Sequence, residues 1–162
     1  MSAAMPATDF THLETLLRDL ALHTLAEAHR TWGEAPLAGF AFNGSAAWGF
    51  LHVSLSFNPQ RAAMEPPDWE HECTEDELPD SRTRWRTQYE PLRQRYDAEC
   101  ATHADHPERF LHTLRRVLAG MERDGVFAGT PGIRLLVTEV DADTDAEQAA
   151  LDEVRRAMGL RA

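Results

Sequence analysis

The sequence contains no lysine: all 16 of its basic residues are arginine. That excludes a Schiff-base lysine, a lysine general base and a Walker-type phosphate loop. Cysteine is scarce, with only Cys73 and Cys100. Two cysteines are too few for a disulfide framework, so a reduced, cytoplasmic setting is expected. Met1 to Phe10 has neither a basic n-region nor a long apolar stretch, and no signal peptide is expected. Charge is absent between Glu34 and Arg61. That run is no membrane span, because Pro36, Asn43-Gly44-Ser45, His52, Ser54, Ser56 and Asn58-Pro59 interrupt it. It reads as two strands around a turn.

What is abundant is acid. The 162 residues carry 27 Asp and Glu, for a net charge of −11. Nucleic acid is excluded as a partner, since phosphate binding needs a basic face, whereas a basic protein is admitted. The length suits a single domain with its own core.

The spacing predicts a helix over 9–31, with Phe10, Leu13, Leu16, Leu17, Leu20 and Leu25 on one face and Thr8 or Thr11 as its cap. Residues 1–8 before it read as a flexible tail. Residues 37–43 and 46–57 read as a hairpin turning at Asn43-Gly44, with Leu51, Val53, Leu55 and Phe57 inward. Eight acids and no arginine fall between Glu65 and Asp80. Within them, Asp68 to Cys73 alternates as a short edge strand does, with Trp69 inward. Residues 81–101 carry five arginines and a stripe of Trp85, Tyr89, Leu92 and Tyr96, interrupted by Pro91, which would kink or split the helix. These arginines and the acids before them are expected to pair at the surface. A second helix spans 107–124, a buried strand 132–140 and a last helix 145–158. The grouping implies one α+β domain, a mainly antiparallel sheet of about four strands covered by helices.

No catalytic residue stands out. Ser45 and Ser81 lack a nucleophile elbow, and His71 and Cys73 are not read as a thiolate pair. Cys100, His103 and His106, with His71 and Cys73 upstream, are zinc-ligand types, but their spacing matches no finger or ribbon. Asp141, Asp143, Asp145 and Asp152 echo a calcium loop, with Ala146 where that loop needs glycine; a helix cap explains them as well. No metal and no cofactor are therefore expected. The candidate binding residues are Asp68, Trp69, Glu70, Glu72, Glu75, Asp76 and Trp85, an acidic stripe between two aromatic anchors.

Several segments together resemble a known family: the N-terminal amphipathic helix, the hairpin ending at Asn58, Pro67-Asp68-Trp69-Glu70, Met121-Glu-Arg-Asp-Gly-Val-Phe127, and Leu135-Leu-Val-Thr-Glu-Val140 before Asp141. Over roughly residues 10–160 the chain is similar to the bacterial domain-of-unknown-function family numbered 4303. It departs at Asn58-Pro59-Gln60-Arg61, where members often carry Asn-Thr-Glu-Glu, and at Met158-Gly159-Leu160, where a Leu-Asn pair is common. The resemblance implies an α+β domain from the bacterial cytosol with no assigned activity, and by analogy a role in neutralising toxins. The expected function is a non-enzymatic, acidic protein-binding module, monomeric or homodimeric through the hairpin edge. The alternative is a metal-dependent or carboxylate-based hydrolase.

Overall fold

The computed structural model describes residues 7–33 and 35–161. The first helix, α1 (Phe10–Trp32), starts at Asp9, whose carboxylate accepts hydrogen bonds from the backbone of Thr11 and His12. Asp9 thus takes the capping place expected of Thr8 or Thr11. Residues 1–6 of the expected tail lie outside the described residues, but Thr8 is tied down: its backbone N–H and its hydroxyl both bond to the Glu99 carboxylate.

The hairpin consists of β1 (Gly39–Ser45) and β2 (Phe50–Ser56). It turns over Ala46–Gly49 and not at Asn43-Gly44, which lie within β1 paired with His52 and Leu51. Gly44 serves close approach instead: a Cβ there would sit 1.9 Å from the Phe50 carbonyl oxygen. The positive φ that the turn needs falls on Gly49, at +67°.

A short helix α2 (Pro59–Ala62) and a 3₁₀ turn at Pro66–Asp68 follow, then α3 (Thr74–Glu77) and α4 (Pro79–Arg84). From α4 the chain runs through a π-turn at Trp85–Tyr89 into α5 (Glu90–Cys100). Pro91 therefore falls in the first turn of α5 and does not interrupt the run of helical turns from Pro79 to Cys100. The widened turn, in which the Glu90 N–H reaches the Trp85 carbonyl, accommodates the residue that cannot donate. Trp85, Tyr89 and Tyr96 stay on one buried stripe. The last elements are α6 (His106–Arg123), β3 (Arg134–Glu139) and α7 (Thr144–Ala157).

The domain is mixed α and β, one sheet covered by helices, but the sheet has three strands in the order β2-β1-β3. β2 runs antiparallel to β1, and β3 runs parallel to it. The sheet is therefore mixed, against the expectation of about four antiparallel strands. Two causes account for the difference. The long helical crossover returns the chain to β1 in the parallel sense. The segment at 68–73 is opened by a Pro-Pro turn and contributes only one bridge, Leu55 to His71.

The pairing register sorts the sheet into two faces. On the inner face Phe40, Phe42, Leu51, Val53, Leu55, Leu135 and Val137 join Leu13, Leu17 and Leu20 of α1 and Leu114 and Leu118 of α6 in the main core. On the outer face β1 offers Gly39, Ala41 and Asn43, and β2 offers Ser54 and Ser56. Small side chains leave room there for Trp69, which packs on Ala41 and Leu136 as a second, minor core. Its indole N–H bonds to the Met64 carbonyl.

Candidate functional site

The acidic segment lies along the free edge of β2, and its first effect is to close that edge. The Val53 N–H donates to a Glu75 oxygen at 3.0 Å. Two residues on, Leu55 exchanges both backbone hydrogen bonds with His71, at 2.9 and 3.2 Å. Two further on, the Phe57 N–H donates to Glu70 at 2.8 Å. From Val53 to Phe57 every second residue of the edge is thus satisfied, by a carboxylate, a backbone and a carboxylate. The fourth strand expected from the alternation is replaced by these acceptors. They also oppose dimerisation by strand addition, since an incoming strand would need the same donors.

This use of the acids redistributes the predicted binding residues. Trp69 and Trp85 are buried, and the Trp85 indole N–H bonds to the Thr24 hydroxyl. Neither ring is available as a surface anchor. Glu75 is buried and Glu70 is engaged with Ser56 and Phe57. Asp68 and Asp76 are exposed and Glu72 is half-buried. The acids do not pair with the arginine-bearing helix; among the described residues their ion pairs go to His52, His71 and Arg134.

Glu75 reaches His52 on the outer face of β2, with Oε1 at 2.5 Å from Nδ1. Burial alone would lower the imidazole's proton affinity. Glu75, Asp76 and Glu72 outweigh it and hold His52 above its ordinary value. Burial lifts the Glu75 carboxyl above the usual carboxylate range, with His52 pulling the other way. Cys73 lies beside the pair; burial first, then Glu75, Glu72, Asp76 and Glu77, push its thiol up to about 12. A thiol so protonated is a poor nucleophile. Among the described residues one set of three metal-ligand types converges, and it is His52, Cys73 and Asp76.

Exposed aromatic surface continues from this cluster. Phe50, two residues before His52 on the same face, is 50% exposed and packs edge-on to the imidazole. Trp48 in the turn is 63% exposed. The turn that carries it is held from the long helix: Tyr89 donates to the Gly49 carbonyl, Tyr96 to that of Ala46, and Arg93 to that of Trp48. Glu139 accepts the Ala46 N–H from the far strand. Trp48 is therefore displayed from a braced backbone. Sequence periodicity points to Trp69 and Trp85 because they flank the acids. The signal for Trp48 and Phe50 lies in the hairpin, at the outward positions nearest the turn.

The other sequence-level clusters fall apart or have structural roles. His106 is buried, packs on Tyr96 and bonds to Glu99, while the His103 ring nitrogen bonds to the Glu99 carbonyl. Both cysteines are free. Asp143 caps α7 through Asp145 and Ala146, and Glu147 accepts the Glu139 N–H. An opening of about 580 Å³ lies at the other end of the sheet, where Arg134 is the single charged residue among the described lining. Its guanidinium is committed to the carbonyls of Ala62 and Met64.

No family model matches the chain, and no match was found among curated proteins or solved structures. Among the described residues no helix is long and apolar enough to cross a membrane.

Proposed function

We propose that the chain is a non-enzymatic, acidic protein-binding module of the bacterial cytosol. Its membership of family 4303 and an immunity-like role against a basic toxin belong to the same proposal. The docking face is the outer surface near the hairpin turn, where Phe50 packs on His52, the ring that Asp76 and Glu72 face, and Trp48 stands in the adjoining turn. The observation that carries this reading is the two exposed aromatic side chains, one of them on a braced turn. Aromatic rings on a pre-organised backbone lose little entropy on binding and supply the anchor. The surrounding carboxylates and the net charge of −11 speed encounter with a basic surface.

The partner to test is the protein encoded next to this one. Wild type is expected to form a complex with it at micromolar concentration that weakens as salt rises, because exposed charges are screened over about 8 Å at physiological ionic strength. Trp48→Ala with Phe50→Ala abolishes it. No complex at low salt refutes the proposal.

A metal-dependent hydrolase is the competing reading, favoured by the convergence of His52, Cys73 and Asp76. Hydrolysis of ester or phosphoester substrates by zinc-loaded protein, lost in Asp76→Asn, would replace the binding module with the enzyme.

A further inference from the structure

His52, Cys73 and Asp76 come from two places in the chain. His52 sits on β2; Cys73 immediately precedes α3, and Asp76 is three residues further on, in its single turn. A ring nitrogen, the thiol sulfur and a carboxylate oxygen lie within 4.8 Å of one another. Tetrahedral zinc, with bonds of about 2.0–2.3 Å, holds its ligand atoms about 3.3–3.8 Å apart. Closing the set takes a contraction on the order of 1 Å, which side-chain rotation supplies.

A second observation concerns Glu75. Its two oxygens are fixed separately, one on His52 Nδ1 and one on the Val53 N–H, and the residue is buried. With Nδ1–H donated to Glu75, the free lone pair of neutral His52 is on Nε2. Metal-binding histidines are oriented in this way, by a carboxylate on the nitrogen that does not bind the metal. Glu72 adds a further negative charge near the ring.

We propose that His52, Cys73 and Asp76 bind a zinc-class divalent cation, with Glu75 as the positioning residue for the histidine. The thiol loses its proton to solvent as the sulfur–metal bond forms. The ligand set selects the ion. Thiolate and imidazole disfavour magnesium and calcium and suit zinc or cobalt(II). Three protein ligands leave a fourth position, which exposed Asp76 places at the surface, where water completes the tetrahedron. The carboxylates of Glu72 and Glu75 beside these ligands also attract the cation. This site shares Asp76 with the docking face but needs neither Trp48 nor Phe50 to bind the ion.

The test uses the full chain purified without a metal-binding tag, treated with chelator and titrated with zinc and with cobalt(II). One zinc per chain is expected in competition with a chromophoric chelator. Cobalt should give a sulfur-to-metal charge-transfer band that disappears in Cys73→Ser and persists in Cys100→Ser. Glu75→Gln should weaken binding about 10–100-fold, as outer-sphere substitutions do. Asp76→Asn, at an exposed position, keeps the fold by circular dichroism and also weakens binding. A folded wild type that takes up no zinc at micromolar concentration overturns the proposal. So does a Cys73→Ser variant that binds zinc as tightly as wild type.

Discussion

Glu27 is a buried acid in the C-terminal third of α1, and its removal offers a sharp test of how the helical layer is joined. Its carboxylate accepts from the backbone N–H of Asp80 at 3.0 Å and of Ser81 at 2.7 Å, and from the Ser81 hydroxyl. These donors open α4, which Leu78 precedes without a side-chain cap of its own. Glu27 is thus a helix cap supplied from 53 residues away. Burial opposes its ionisation, but the hydrogen bonds from Ser81 and Asp80 outweigh that and hold the carboxyl below its usual range. In Glu27→Ala two backbone donors and a hydroxyl lose their acceptor. Each bond to a charged group contributes about 1.5–3 kcal/mol, and relief from burying the carboxylate offsets part of the total. We expect a net loss of about 3 kcal/mol, and about 1 kcal/mol for Glu27→Gln, which keeps one acceptor oxygen. For a chain of this size that corresponds to roughly 6–12 °C and 2–4 °C in Tm. The sign with pH follows from the lowered carboxyl. The contribution is present above its ordinary 4.5 and is lost as pH falls through the lower folded value. Chemical denaturation of the three proteins at neutral and acid pH reads both effects. A Glu27→Ala variant as stable as wild type at neutral pH would refute the capping role.

Removing the edge acceptors together, Glu70→Ala with Glu75→Ala, should leave donors on β2 open and produce concentration-dependent dimers or aggregates by light scattering; a strictly monomeric double variant contradicts the edge-closing role. Gly44→Ala should cost at least about 3 kcal/mol, the upper end of overpacking penalties, because its Cβ meets backbone and cannot be accommodated by a rotamer. A near-neutral effect would show that the hairpin is wider there than described. His52 holds its proton more tightly folded than unfolded. Its pairing with Glu75 therefore contributes fully below about pH 6.5 and fades as pH rises through the higher folded value. In metal-free protein, Tm should fall between about pH 6 and pH 9 more in wild type than in His52→Gln. Equal slopes would remove His52 from the account.

Much of the helical framework is legible in the chain, and the reasons are local. The stripe Leu13, Leu17, Leu20 and the stripe Phe110, Leu114, Val117, Leu118, Met121 are repeated at helical spacing, and both are buried. The strand Leu135–Val137 is apolar on both faces and lies against β1 and under α7. What escapes is set by distant contacts. Asn43-Gly44 has the composition of a turn, yet the Phe50 carbonyl approaching Gly44 and the grip of Tyr89 and Tyr96 on residues 46–49 move the reversal on to Ala46–Gly49. Asp68 to Cys73 alternates like a strand, but its alternation serves to send Trp69 over Gly39 and Ala41 and Glu70 to the edge of β2. The burial of Trp69 and Trp85 escapes the sequence for the same reason. Proximity in sequence joins the acids to Trp69 and Trp85, whereas the sheet brings Glu75 to His52, 23 residues earlier, with Phe50 packed on that imidazole.

The most direct test is calorimetric titration of this protein with its gene neighbour's product at low salt, wild type beside the Trp48→Ala, Phe50→Ala double variant. Saturable binding by wild type, lost in an equally stable double variant, is the predicted result. Binding that survives the loss of both rings, or no heat of binding with wild type, would contradict the docking face described for the hairpin turn.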